Sequence, residues 1–174
     1  GNFDDCQTAV KKIFTSKEFN TELKSRNVVL SSANSINFGR LAPQIAYYFS
    51  AYLDVVNSGE IKLGKQIDFC VPTGNFGNIL AAYYAKNMGL PIGKLICASN
   101  ENKVLFDFFE EGVYDKNREF YLTNSPAMDI LISSNLERLL YLISDYDENL
   151  VKQMMFSLKE TGIFKLPSKF KERL

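Results

Sequence analysis

Apolar positions along this chain follow two rhythms, and the switches between them predict its elements. Val10, Ile13 and Phe14 recur at helical spacing behind Asp4 and Asp5, either of which suits a helix N-cap, and a short polar helical piece covers Ser16 to Lys24. Val28-Val29-Leu30 is a β-branched run that reads as a short buried strand. From Phe38 to Val56 the stripe Leu41, Ile45, Tyr48, Phe49, Tyr52, Val55, Val56 predicts a long amphipathic helix that ends at Asn57-Ser58-Gly59. Ile67–Val71 reads as a buried strand, Asn78–Met88 as a helix stopped by Gly89 and Pro91, and Lys94–Ala98 as a second buried strand. That makes residues 67–98 one right-handed βαβ unit with parallel strands. Beyond it the pattern predicts a helix over about 102–110 capped by Ser99–Asn102, a weak strand over 119–123, and a helix opened by Ser125-Pro126 and continued through Leu131, Leu136, Leu139, Leu140 and Ile143. A last helix runs from the cap Asp147 to Gly162, and the basic tail from Lys165 to Leu174 reads as frayed or docked on something else.

Strands alternating with helices predict an α/β fold, here a three-layer αβα arrangement around a mainly parallel sheet. The polar connector Gly59–Gly64 is the candidate boundary, dividing 1–60 from 61–174. At 174 residues, 46% hydrophobic and 23% charged, the chain can build one real core. Its 20 basic and 20 acidic residues cancel, which argues against nucleic-acid or membrane-surface binding through bulk charge. No run is long and apolar enough to span a membrane. Three cysteines without paired spacing suggest reduced, buried thiols and a cytoplasmic setting. Histidine is absent, which removes the commonest general base and the commonest zinc ligand, so no metal site is expected. The start at Gly1, without Met, looks like a cut inside a larger protein.

The stretch with chemical potential is Thr73-Gly74-Asn75-Phe76-Gly77-Asn78, set between a strand and a helix start. Helix N-termini present unpaired N–H groups and the positive end of the dipole to an anion, and glycines let the backbone approach closely. Neither the Walker lysine nor the dinucleotide fingerprint is present, so a single phosphate monoester fits better than ATP or NAD. A plain βα turn with Asn78 as N-cap is the competing reading. A second strand-to-helix turn, 31–40, brings Asn34, Ser35 and Asn37 to the same sheet edge, with Arg40 able to hold a second anion in bidentate fashion; ordinary capping is its competitor. Asn100-Glu101-Asn102 reads as a cap, Asp107, Glu110 and Glu111 as a solvated helix face, and the tyrosines Tyr47, Tyr48, Tyr83 and Tyr84 as core. None of the lysines sits in an apolar run that would suit Schiff-base chemistry.

Several stretches resemble threonine synthase, in order and over nearly the whole chain: Gly1–Cys6, Ser32–Arg40, Pro43-Gln44, Val71–Asn78, Gly89–Ile92, Ser125–Ile130 and Ser134–Arg138. That family belongs to the fold-type II pyridoxal-phosphate enzymes and converts O-phospho-L-homoserine and water to L-threonine and phosphate. The resemblance implies that Gly74, Asn75, Phe76, Gly77 and Asn78, with Thr73, cradle the phosphate of pyridoxal 5'-phosphate, and that Asn34, Ser35, Asn37 and Arg40 border the substrate side of the cleft. It also implies that 1–60 belongs to the smaller domain and 61–174 to the larger. The family's Schiff-base lysine falls before Gly1 and the residue facing the pyridine nitrogen beyond Leu174. The chain is therefore expected to hold no catalytic residue and to be inactive by itself, and its missing neighbours are expected to leave it prone to self-association. Two alternatives stand beside this: another pyridoxal-phosphate β- or γ-replacing enzyme such as cysteine synthase, and a non-enzymatic phospho-ligand module.

Overall fold

The parallel strands β1 (Ile67–Pro72) and β2 (Ile92–Ala98) and the helix α4 (Gly77–Asn87) between them form the frame that holds the candidate loop. The structure, a computed structural model, describes residues 3–33 and 37–174. Phe69 faces Leu95 and Val71 faces Cys97 across the pair. The register shifts between Ile67 and Phe69, where the Asp68 carboxylate accepts from the Lys94 N–H at 2.6 Å and stands in for a ladder acceptor. A Cβ at Gly93 would press on that carboxylate, so a larger residue there would push the Asp68 side chain off the Lys94 N–H.

Helices cover one face of the pair. α3 (Phe38–Asn57) packs along α4, and the Tyr48 ring meets Phe69 edge-on at 5.0 Å. Leu80, Ala81, Ala82 and Ala85 of α4 are fully buried between α3 and the strands, which explains why this helix has no polar face. The Tyr52 hydroxyl accepts from the Gly64 N–H at 2.8 Å and donates to the Lys65 carbonyl at 3.1 Å, pinning the connector against α3. On the opposite face Asp68, Cys70 and Lys94 are exposed, and Ile96 is 46% exposed. The expectation of buried thiols therefore fails for Cys70, and for Cys6 of α1 (Phe3–Thr15), which is exposed too; Cys97 is half-buried. Alternation along β1 puts Val71 inward and Cys70 outward, so the apolar run alone could not tell them apart.

A second layer closes the core from below. α5 (Val104–Glu111) and α7 (Glu148–Thr161) each end on a glycine in the left-handed conformation, Gly112 and Gly162, and turn straight into β3 (Val113–Asp115) and β4 (Ile163–Lys165). These short strands pair antiparallel, with Tyr114 stacked on Phe164 and Phe108 edge-on to both. α6 (Leu136–Ile143) buries Leu136, Leu139, Leu140 and Ile143 in the same cluster. The tail is not frayed: Leu166 and Phe170 are buried, and α8 (Ser168–Lys171) docks beside them.

Three expected elements are absent. Residues 28–30 form no strand, with Val29 78% exposed, because no neighbouring strand pairs with them among the described residues. Residues 119–123 form no strand. The side chain of Asn102 takes the place of a partner strand there, accepting from the Tyr121 N–H at 3.0 Å and donating to its carbonyl at 2.8 Å. The helix expected from Ser125 is a single 3-10 turn, Pro126–Met128, and helix resumes only at Leu136. No described helix is long and apolar enough to cross a membrane.

Candidate functional site

At the carboxyl end of β1 the chain enters the loop through Thr73, whose N–H donates to the Ala98 carbonyl at 2.8 Å and prolongs the parallel pairing. The Thr73 hydroxyl donates to the Val71 carbonyl at 2.7 Å, and Thr73 also hydrogen-bonds the Cys97 thiol. The hydroxyl is thus engaged within the strand ends, whereas the residue as a whole borders the cleft. Phe76, the last residue before α4, has φ 64°, in the left-handed region. A non-glycine residue held there carries strain of about 1–3 kcal/mol. Burial of the Phe76 ring, stacked on Phe109 at 5.9 Å, offsets a cost of this size, since burying such a side chain contributes about 1.5–3 kcal/mol.

The start of α4 has no side-chain cap. Asn78 does not play that part; its side-chain oxygen accepts from the Tyr48 hydroxyl, as does its carbonyl, at 3.0 Å. The N–H groups of Asn75, Phe76, Gly77, Asn78 and Ile79 have no partner among the described residues. The loop carbonyls, by contrast, are held. Ser133 donates its hydroxyl to the Gly74 carbonyl at 2.8 Å, and Asn135 donates both its backbone N–H and its side-chain amide to the Asn75 carbonyl, at 3.1 and 2.9 Å. Ser134 adds a bond of 3.2 Å to the Asn75 side chain. Gly74 lies so close to the Pro126–Met128 turn that an added Cβ would meet the Ala127 carbonyl and the Met128 Cα at 3.3 Å.

The loop lines a cleft of about 440 Å³ together with Arg40, Gln44, Ala127 and Met128. Arg40 thus shares one cleft with Thr73–Asn78, and one of its terminal nitrogens donates to the Ala33 carbonyl at 2.9 Å. Asn37 is engaged elsewhere: its oxygen caps α3 at the Gly39 N–H, 2.8 Å away, and its nitrogen donates to the Ser32 carbonyl. Asn34 and Ser35 lie outside the described residues. No lysine lines the cleft among the described residues. Among them, too, no group of His, Cys, Asp and Glu is arranged to hold a metal.

A buried acid close by serves structure. Asp129 accepts from the Thr123 N–H at 2.8 Å, the Thr123 hydroxyl at 2.7 Å, Asn100 at 2.7 Å and Asn102 at 3.2 Å. These bonds, the Thr123 N–H first, hold its carboxyl below the usual carboxylate range. Asn100 and Asn102 therefore organise this network instead of capping α5, which has no side-chain cap.

No protein-family model matches the chain. Threonine synthase from Saccharomyces cerevisiae is 46% identical over 175 residues, taking in 95% of this chain and 32% of that protein. A threonine synthase-like 1 protein from Homo sapiens is 51% identical over 175 residues, 99% of this chain and 24% of that protein. The crystal structure of PLP-bound threonine synthase from Brucella melitensis superposes with a TM-score of 0.82 at 44% identity, covering 99% of this chain and 35% of that one. Over nearly its whole length the chain is similar to threonine synthases. It spans about a quarter to a third of the length of these threonine synthase relatives. The family likeness runs through Ser134–Arg138, yet the part these residues play in gripping the loop was invisible in the sequence, because Asn75 and Asn135 lie 60 residues apart. Gln44, one helical turn after Arg40, is a further cleft residue that the α3 stripe passed over, since its position faces the loop and not the core.

Proposed function

We propose that this chain supplies the phosphate-binding half of a pyridoxal 5'-phosphate site in a threonine synthase, whose whole protein converts O-phospho-L-homoserine and water to L-threonine and phosphate. The observation that carries this reading is the row of unpartnered N–H groups from Asn75 to Ile79, at the start of an 11-residue helix and along a cleft shared with Arg40. These groups fit a phosphate: the donors are preformed, the loop carbonyls are tied elsewhere, and the helix dipole favours an anion. Asn75, Phe76, Gly77 and Asn78 would hold the cofactor phosphate through the backbone, with Gly74 allowing the loop to lie against Pro126–Met128 and Thr73 fixing its strand end. Arg40 stands where it would take a second anion, the substrate's phosphate, in bidentate fashion. By the family resemblance Asn34, Ser35 and Asn37 would border the substrate side, with Asn37 acting by fixing the start of α3. The bound group would supply the electron sink of the reaction.

Among the described residues no amine lines the cleft, and the chain has no histidine, so by itself it binds and orients without turning substrate over. The division into 1–60 from a smaller domain and 61–174 from a larger one, and a cytoplasmic setting, belong to the same reading. So does self-association of the isolated chain with a second copy through the open face of β1 and β2. Nitrogen-15 NMR of the isotope-labelled chain, titrated with inorganic phosphate and then pyridoxal 5'-phosphate, tests the central claim. Shifts concentrated at the amides of residues 74–79 are expected with both. A titration that leaves those amides unmoved would overturn it. Phosphate release from O-phospho-L-homoserine by the whole protein tests the reaction.

A further inference from the structure

We infer that Asn135, oriented by Arg138, is a positioning residue that keeps the phosphate-binding loop turned toward its ligand. The inference rests on the reading of that loop as a phosphate cradle and adds what holds the cradle in shape. In a trans peptide the carbonyl and the N–H point in opposite directions, and no peptide of this chain is cis among the described residues. Gripping the Asn75 carbonyl from one side therefore aims the Phe76 N–H to the other. Asn135 does so with two donors at 3.1 and 2.9 Å. Ser133 does the same one peptide earlier: its hydroxyl holds the Gly74 carbonyl at 2.8 Å and so aims the Asn75 N–H.

The grip is needed because Phe76 is held at φ 64°. Flipping the Asn75–Phe76 peptide would relax Phe76 to a negative φ and point the Asn75 carbonyl where its N–H neighbour had been. A carbonyl there would repel a phosphate. The sequence thus favours the wrong orientation locally, and the contact from α6's N-terminal flank reverses the preference.

Arg138 decides which way round Asn135 works. Its guanidinium donates to the Asn135 side-chain oxygen, so the amide nitrogen is the end left for Asn75. Asn135 is 0% exposed, which excludes water as a substitute partner. The same guanidinium lies 6.0 Å from the Phe38 ring at the start of α3, the helix that carries Arg40. Arg138 thereby lies between the loop's anchor Asn135 and the start of α3.

Asn135→Asp tests the inference. The carboxylate keeps a partner in Arg138 but offers only acceptors to the Asn75 carbonyl. In the ligand-free chain we expect the Phe76 backbone shifts to leave left-handed values. Inorganic phosphate should bind about tenfold more weakly, the scale of one lost hydrogen bond. Phe76 shifts and phosphate affinity both unchanged would overturn the inference. If Asn135→Asp does not fold, Ser133→Ala substitutes: the Asn75 amide should move and phosphate affinity fall several-fold, and neither changing would overturn it. A wild-type chain that fails to bind phosphate refutes the cradle reading instead. The Phe76 conformation in the ligand-free variants still decides whether the grip exists.

Discussion

The hydroxyl of Tyr48, halfway along α3, donates to the carbonyl of Asn78, in the first turn of α4, at 3.0 Å. One part-buried contact between two helices thus places the candidate anion loop against the helix that carries Arg40. Tyr48→Phe leaves the Asn78 carbonyl and side-chain oxygen without this donor, a loss on the order of 1 kcal/mol for a part-buried hydrogen bond. Burial pushes the Tyr48 hydroxyl up to about 12. The folded state therefore keeps this proton between its ordinary value near 10 and about 12, while the unfolded chain loses it. The contribution is full below about pH 10 and disappears as pH rises through the folded value. Urea unfolding at increasing alkaline pH should show a steeper fall in stability for wild type than for Tyr48→Phe; parallel curves would reject this account.

Asp129 makes the complementary prediction in acid. Its carboxyl is held low, first by the Thr123 N–H and then by the Thr123 hydroxyl, Asn100 and Asn102. A depressed carboxyl stabilises above its unfolded value, about 3.9, and the benefit is lost as pH falls through the folded value. Asp129→Asn removes the charge and turns an amide group toward Asn100 and Asn102, which already present amide donors. The variant should unfold at lower urea at neutral pH, with the gap to wild type closing as pH drops below about 4. A gap independent of pH would show that the charge contributes nothing.

The βαβ unit was legible in the sequence because its signals are local. Alternation and apolar runs mark β1 and β2, a helical stripe marks α3, and Gly89 and Pro91 stop α4 where a left-handed glycine and a proline must. The loop was legible as an anion site for the same reason: strand, glycines and helix start are neighbours in the chain. What was not legible depends on distant partners. Val28–Leu30 has the composition of a strand but nothing to pair with among the described residues. Residues 129–135 have helical apolar spacing, yet Asp129 is drawn into a buried network and Ser133 to Asn135 are drawn onto the loop, so the helix waits until Leu136. β3 and β4 have only three residues each, too few for periodicity to register.

The uncovered face of β1 and β2 predicts how the chain behaves alone. Cys70 and Ile96 are register partners on that face, and both are exposed. Apolar side chains on an open two-stranded surface are a natural surface for a second copy. Ile96→Glu places a charge at the centre of the patch. It should shift a concentration-dependent mass in light scattering toward the monomer while changing stability by no more than about 0.5 kcal/mol, as for a surface position. A wild-type chain that stays monomeric at high concentration would refute the association.

The cleft itself yields the last prediction. Imine formation with pyridoxal 5'-phosphate needs an amine within reach of an aldehyde whose phosphate is already seated on the loop. The described lining offers Arg40, Gln44 and the loop backbone but no lysine, and a guanidinium stays protonated and does not form imines under these conditions. Adding pyridoxal 5'-phosphate and then borohydride should therefore leave the chain with low, scattered labelling of its surface lysines. Peptide mapping that found one lysine modified stoichiometrically would show that the chain carries its own anchoring amine, and the division of labour proposed for it would fall. The same treatment of the whole protein should mark a single lysine outside this chain, and Asn135→Asp in that protein should reduce the labelling by loosening the phosphate that presents the aldehyde.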